Sequence, residues 1–227
     1  MHAAVITFPG TNRDGDVARA LKQAGAKVTH AWHADYDLPK GTDLVVLPGG
    51  FAYGDYMRTG AIAARAHIMD AVRAHAAKGG YVLGICNGFQ IACEAGLLPG
   101  ILMRNAGLKF VCRMQHLRVE RNDTAYASAY VARQVIKVCI AHGEGNYICD
   151  DETLARLEGE ARVAFRYCDA SGDITKENPN GSLNAIAGIY SENLRVLGMM
   201  PHPENLIETL VGGTDGKGLF ASLGKAA

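Results

Sequence analysis

Tyr81-Val-Leu-Gly-Ile-Cys-Asn-Gly-Phe-Gln-Ile-Ala-Cys-Glu-Ala95 reads as a strand, a sharp turn and a helix, and the other segments arrange themselves around it. Tyr81 to Ile85 is an apolar run of strand length. From Asn87 to Ala95 the spacing becomes helical, with Phe89, Ala92 and Cys93 on one face and Gly96 as the stop. The join is Gly84-x-Cys86-x-Gly88, the spacing of a nucleophile elbow, where two glycines remove side chains that would crowd a tight strand-to-helix turn. Cys86 then lies at a helix N-terminus, where the dipole and unpaired N–H groups favour a negatively charged sulfur. Taken alone, the pattern also describes a small buried hydrophobe between ordinary turn glycines. The flanking segments decide between the two.

Upstream, strands alternate with helices. Ala3–Phe8, Lys27–Trp32 and Asp43–Leu47 have strand patterns, Asp16–Ala24 is a short helix stopped at Gly25, and Gly60–Lys78 is a long helix ended by Gly79-Gly80. This alternation predicts βαβ crossovers and a parallel sheet covered on both faces. Beyond Gly100, Phe110–Glu120, Tyr126–Ala132, Val135–Ile140 and Ala161–Cys168 read as strands with few helices between them, so the second half carries antiparallel additions. Asp151–Leu157 is a brief helix, Ile186–Tyr190 and Val196–Met200 are short strands, and Gly218–Lys225 is a final helix. The expected class is α/β and flavodoxin-like, a mostly parallel sheet with helices on both faces. With no repeat, linker or low-complexity tract, residues 1–227 are expected to form one domain.

Lys plus Arg and Asp plus Glu both total 23, a formal net charge of zero, which disfavours a general nucleic-acid or acidic-membrane binder. The 6 cysteines include no C-x-x-C pair and mostly sit within apolar runs, the usage of a reduced intracellular protein rather than a disulfide framework or zinc site. No stretch has the length and apolarity to span a bilayer, and Met1 to Phe8 runs straight into a strand pattern, so the expected compartment is the cytoplasm.

Three loops follow strands and can meet at the carboxyl end of a parallel sheet: Pro48-Gly49-Gly50-Phe51, Cys86-Asn87-Gly88 and Pro201-His202-Pro203-Glu204. A cysteine nucleophile needs a base. Of 8 histidines, His202 follows a buried strand and has a carboxylate two residues on; in an extended segment Glu204 would share its face and hold the second imidazole nitrogen. Gly50 lets a backbone N–H approach a tetrahedral oxyanion, and the Asn87 N–H is the second donor. The residues alone leave open a Cys-elbow hydrolase, a peptidase or deglycase among the candidates, and a non-enzymatic binding module.

Gly-Ile-Cys86-Asn-Gly-Phe-Gln90, Pro48-Gly-Gly-Phe-Ala-Tyr-Gly-Asp-Tyr56, Ala141-His-Gly-Glu-Gly-Asn-Tyr147, Asn178-Pro-Asn-Gly-Ser182 and Gly198-Met-Met-Pro-His-Pro-Glu204 together resemble the class I (triad) glutamine amidotransferases, over nearly the whole chain. Asn205 departs from the basic residue expected there, outside the triad. The resemblance implies Cys86, His202 and Glu204 as the catalytic triad, with Gly50 and Asn87 in the oxyanion hole. It further implies Gln90, Gly143 and Glu144 in binding L-glutamine. It implies a glutaminase subunit of purine biosynthesis, which passes ammonia to a large synthetase subunit in company with a small accessory subunit. It implies ATP and Mg in the partner synthetase, with no cofactor or metal in this chain. The absence of G-x-x-x-x-G-K-[ST] agrees, since Val211 to Gly218 lacks its first glycine and final hydroxyl.

The remaining constellations read as structural. His67 and His75 lie two helical turns apart, and His30 and His33 have no cysteine or carboxylate at ligand spacing. Arg113, His116 and Arg118 are expected to share one face of a strand, either solvated or a partner surface. Cys93 is expected to pack on the elbow helix.

Overall fold

The computed structural model describes residues 1–175 and 178–225. Its strands are β1 His2–Thr7, β2 Lys27–Trp32, β3 Leu44–Leu47, β4 Tyr81–Ile85, β5 Ile101–Met103, β6 Val111–Val119, β7 Val135–His142, β8 Asn146–Ile148, β9 Val163–Cys168, β10 Ile186–Tyr190 and β11 Val196–Met199. The helices are α1 Asp14–Gln23, α2 Ile68–Ala77, α3 Asn87–Glu94, α4 Asp151–Gly159 and α5 Lys217–Lys225.

One nine-stranded sheet runs β2-β1-β3-β4-β11-β10-β9-β6-β7. Neighbours from β2 through β11 are parallel, and from β11 onward every pair is antiparallel. The parallel half is where strands and helices alternate in the sequence. Its strands β3 and β4 are buried nearly throughout, as a sheet covered on both faces requires. Helices α1 and α5 pack together, while α3 lies on β3, β4 and β11. The antiparallel half curls back: Cys139 on β7, the last strand of the order, bridges to His202 after β11.

Three expectations are corrected. The helix read over 60–78 is broken: a 3-10 turn covers Ala63–Arg65, Ala66 is extended, and α2 starts at Ile68. Gly60 lies against the α3 backbone, its Cβ position 2.8 Å from Ile91 N, with φ +83; that anchoring sets a direction the helix cannot share. The segment 126–132 is not a strand. Ala127 and Ser128 donate to Thr124 O in successive turns, and the Tyr126 hydroxyl, fully buried, donates to Val82 O and Arg195 O. Arg113, His116 and Arg118 do not share a face, because a period of two puts residue 113 opposite the other two; Arg118 is buried against Glu120. A two-stranded sheet of β5 and β8 was not anticipated from these short runs.

Candidate active site

Strands β3, β4 and β11 are consecutive neighbours and parallel, so Gly49-Gly50, Cys86 and Pro201–Glu204 leave the same edge side by side. That adjacency assembles the site.

Cys86 has φ 51° and ψ −107°, a conformation an L-residue adopts only under constraint from its surroundings. Both glycines act through close approach. A Cβ on Gly84 would lie 2.6 Å from Gly88 O, and one on Gly88 would lie 1.8 Å from Leu47 O on β3. The elbow is therefore clamped between its own helix and the neighbouring strand. The Cys86 N–H donates to Met199 O at 2.8 Å, which ties the elbow to the strand that delivers His202.

His202 and Glu204 are buried, and His202 Nδ1 lies 2.7 Å from Glu204 Oε1. The backbone route differs from the expected extended one. Pro203–Asn205 is a 3-10 turn, and the turn rather than a shared strand face brings the carboxylate round. Burial alone would lower the His202 imidazole's affinity for protons. The Glu204 charge, the Cys86 sulfur charge and hydrogen bonds to both outweigh it and hold His202 well above its ordinary value. The sulfur, the imidazole and the carboxylate thus form one charge-coupled line. β7 closes it from the other side: the His202 N–H donates to Cys139 O at 2.9 Å, and Ala141 O lies 3.8 Å from Cys86 Sγ.

The Gly49-Gly50 loop is held by residues 9–13, which connect β1 to α1. Asn12 and Arg13 donate to Gly49 O, and Phe51 donates to Gly10 O. Thr11 and Gly50 are consequently a non-hydrogen-bonded antiparallel pair, whose ladder bonds leave the Gly50 N–H unused. A Cβ on Gly49 would come 2.9 Å from His202 Cε1, so glycine is required for the ring to sit there. Asn87 is the first residue of α3, whose N–H has no intrahelical acceptor. Its side chain does a second task unseen in the sequence: Oδ1 accepts from Ala52 N at 3.0 Å and Nδ2 donates to Gln90 Oε1 at 2.9 Å.

Gln90 Nε2 continues the chain by donating to Glu144 O at 2.7 Å, so Gln90 meets the Gly143-Glu144 turn as a support for it. The Thr59 hydroxyl donates to the Glu144 carboxylate, and Arg104 lies 3.8 Å from it. Asp55 is close enough that burial and then the Glu144 charge push its carboxyl up to about 6. All four carbonyls of residues 142–145 are occupied by Asn105, Gln90, Asn180 and Ser182. Among the described residues the N–H groups of Gly143 and Glu144 make no such bonds, so the turn presents donors.

Elsewhere, His75 Nε2 lies 3.2 Å from Tyr81 O, His67 packs on Tyr36, and His33 Nδ1 lies 2.6 Å from the Tyr53 hydroxyl. Cys93 is buried on α3, its thiol pushed up by burial and then by Glu94.

Residues 1–214 match the CobB/CobQ-like glutamine amidotransferase domain, and the chain belongs to that family. Within it, the similarity is to subunit PurQ of phosphoribosylformylglycinamidine synthase. The PurQ chains of Rhodopseudomonas palustris (strain BisB18) and Bradyrhizobium diazoefficiens are each 63% identical over 225 residues, covering 98% of this chain and 97% of theirs. Among solved structures, PurLQS from Thermotoga maritima superposes with a TM-score of 0.88 at 39% identity, covering 99% of this chain and 98% of that one. A glutamine amidotransferase from the same organism, TM-score 0.59 at 15% identity over 90% of this chain and 76% of that one, shares the fold.

Proposed function

We propose that this chain is the glutaminase subunit of phosphoribosylformylglycinamidine synthase and that Cys86, His202 and Glu204 carry its chemistry. The observation that carries the assignment is the delivery of a strained Cys86, a Glu204-paired His202 and a Gly50 N–H unused among the described residues, from three adjacent parallel strands. The full-length similarity to PurQ chains supports the substrate and pathway.

Glutamine binds with its backbone groups at the Gly143-Glu144 turn, whose free N–H groups suit a carboxylate. The Glu144 and Asp55 carboxylates supply the negative potential an ammonium group needs. The Cys86 thiolate attacks the side-chain amide carbon, and the Gly50 and Asn87 N–H groups stabilise the oxyanion. The C–N bond breaks as His202 gives its proton to the leaving nitrogen, releasing ammonia and leaving a glutamyl thioester. His202 then takes a proton from water, which attacks the thioester and frees glutamate and Cys86. Glu204 holds the imidazole's orientation throughout and stabilises its positive charge whenever His202 carries the second proton.

Ammonia passes to a large synthetase subunit, where ATP and Mg drive conversion of formylglycinamide ribonucleotide to the amidine, and a small accessory subunit completes the complex. The solved neighbour, a PurLQS structure, supports that assembly. Residues 1–227 form one amidotransferase domain in this reading, supported by the match over 1–214. Among the described residues no helix is long and apolar enough to cross a membrane, and we place the protein in the cytoplasm as an enzyme of purine biosynthesis.

The test is alkylation by a glutamine analogue in the reconstituted complex, followed by mass spectrometry. Label on Cys86 is expected, with glutamine-dependent synthesis lost in Cys86→Ala and ammonia-dependent synthesis kept. Label elsewhere, or equal loss of both activities, overturns the assignment.

A further inference from the structure

We propose that Asn105 is a positioning residue for glutamine: it shapes the Gly143-Glu144 turn without touching the reacting atoms. The inference rests on the reading of that turn as the glutamine site.

Asn105 follows β5 and is 1% exposed, yet nearly every polar atom it has is spent on one short segment. Its backbone N–H donates to Gly143 O at 2.9 Å. Nδ2 donates to His142 O at 2.9 Å and to Lys109 O at 2.8 Å. Oδ1 accepts from Gly145 N at 2.9 Å and lies 3.2 Å from His142 Nδ1. The amide orientation follows from these partners, because two carbonyls face the nitrogen and a backbone N–H faces the oxygen. Oδ1 only accepts, so His142 carries its hydrogen on Nδ1.

The consequence is geometric. Asn105 grips residues 142, 143 and 145 and leaves Gly143 N and Glu144 N as the outward donors. Only asparagine offers two donors and an acceptor at this reach. Alanine removes the grip; aspartate keeps the acceptor but turns an oxygen toward the His142 and Lys109 carbonyls, so it fits only when protonated. Cys86 and His202 are gripped by other groups, Met199 O and Cys139 O among them. A change at Asn105 therefore falls on glutamine binding and spares the thiol.

The experiment uses the complex reconstituted with its synthetase and accessory subunits. Asn105→Ala should raise the KM for glutamine at least tenfold, with kcat within about threefold of wild type. Ammonia-dependent synthesis and the rate of Cys86 alkylation by iodoacetamide, which does not use the turn, should stay within twofold. Asn105→Asp, of the same shape, should show a glutamine KM that climbs between pH 6 and 8 more steeply than wild type. An unchanged KM, or a KM rise matched by a falling iodoacetamide rate, overturns the proposal; so does a pH-independent KM in Asn105→Asp should the alanine variant not fold. If the turn did not bind glutamine at all, neither variant would alter KM while Cys86→Ala still abolished glutamine use, which separates failure at Asn105 from failure of the thiol assignment.

Discussion

Lowering the pH from neutral to 5 protonates His142 in the unfolded chain and leaves it mostly neutral in the folded one. His142 is buried, with Nδ1 facing Asn105 Oδ1 and Nε2 enclosed without a partner among the described residues. Burial first, and then the charge of His202, lower its value from 6.5 to about 4. The folded state thus prefers the neutral ring, and the unfolded chain gains a proton that the folded chain refuses. Stability is unaffected above 6.5, falls as pH drops below it, and levels off below 4. The gap corresponds to about 3 kcal/mol, a slope of about 1.4 kcal/mol per pH unit between those limits. That is a substantial share of the 5–15 kcal/mol, roughly, that holds a typical domain. His202 acts in the other window. Its value is raised, so its contribution is complete below 6.5 and is lost only as pH climbs through the folded value. It therefore leaves the acid range untouched. Urea unfolding of wild type and His142→Gln from pH 7.5 to 4 isolates the effect, since other groups cancel in the difference. The variant should be about 1 kcal/mol less stable at pH 7.5, from a lost hydrogen bond, and should gain about 3 kcal/mol relative to wild type by pH 4. Parallel curves over that range would refute the reasoning, as would an NMR titration placing the folded His142 near 6.5.

Gly88→Ala sets a Cβ 1.8 Å from Leu47 O and must push α3 off β3; a loss of about 3 kcal/mol or more is expected in thermal unfolding, and a loss below 1 would show that the elbow yields easily. Glu204→Gln keeps the shape of the carboxylate but not its charge, so glutamine-dependent kcat should fall about 10²-fold or more while ammonia-dependent synthesis holds; steady-state rates with each nitrogen source decide it. Tyr126→Phe strips a buried hydroxyl from Val82 O and Arg195 O and should cost about 1.5 kcal/mol in urea unfolding with no change in glutamine KM; a neutral result would mean those carbonyls are satisfied without it.

Local chemistry made much of the site readable from residues alone. Gly84-x-Cys86-x-Gly88 needs glycine because a Cβ at either position strikes backbone within three ångströms, so the pattern carries the turn wherever it occurs. The long buried runs of β3 and β4 and the glycine-ended helices are short-range facts of the same kind. His202 and Glu204 are two residues apart, so their contact was foreseeable even though a 3-10 turn, not a strand, makes it. Two of the misreadings have one source. Segments 60–78 and 126–132 carry helix and strand periodicities that distant contacts override: Gly60 against α3 in the first, the Tyr126 hydroxyl bridging two strand carbonyls in the second.

By its order of residues, then, the chain determined a parallel α/β core, the elbow, and which side chains could serve as nucleophile, base and orienting acid. Which of them meet was a matter of strand order. β11 pairs with β4 although more than a hundred residues separate them, and no local pattern encodes that neighbour. The same holds for the curl that brings Cys139 and Ala141 to the triad, for residues 9–13 behind the Gly49-Gly50 loop, and for Asn105 on the 142–145 turn. Those partners are ordinary loop and strand residues whose spacing carries no chemical signature. They acquire a role only when burial forces each backbone carbonyl and N–H to find a partner, and the nearest one lies far along the chain.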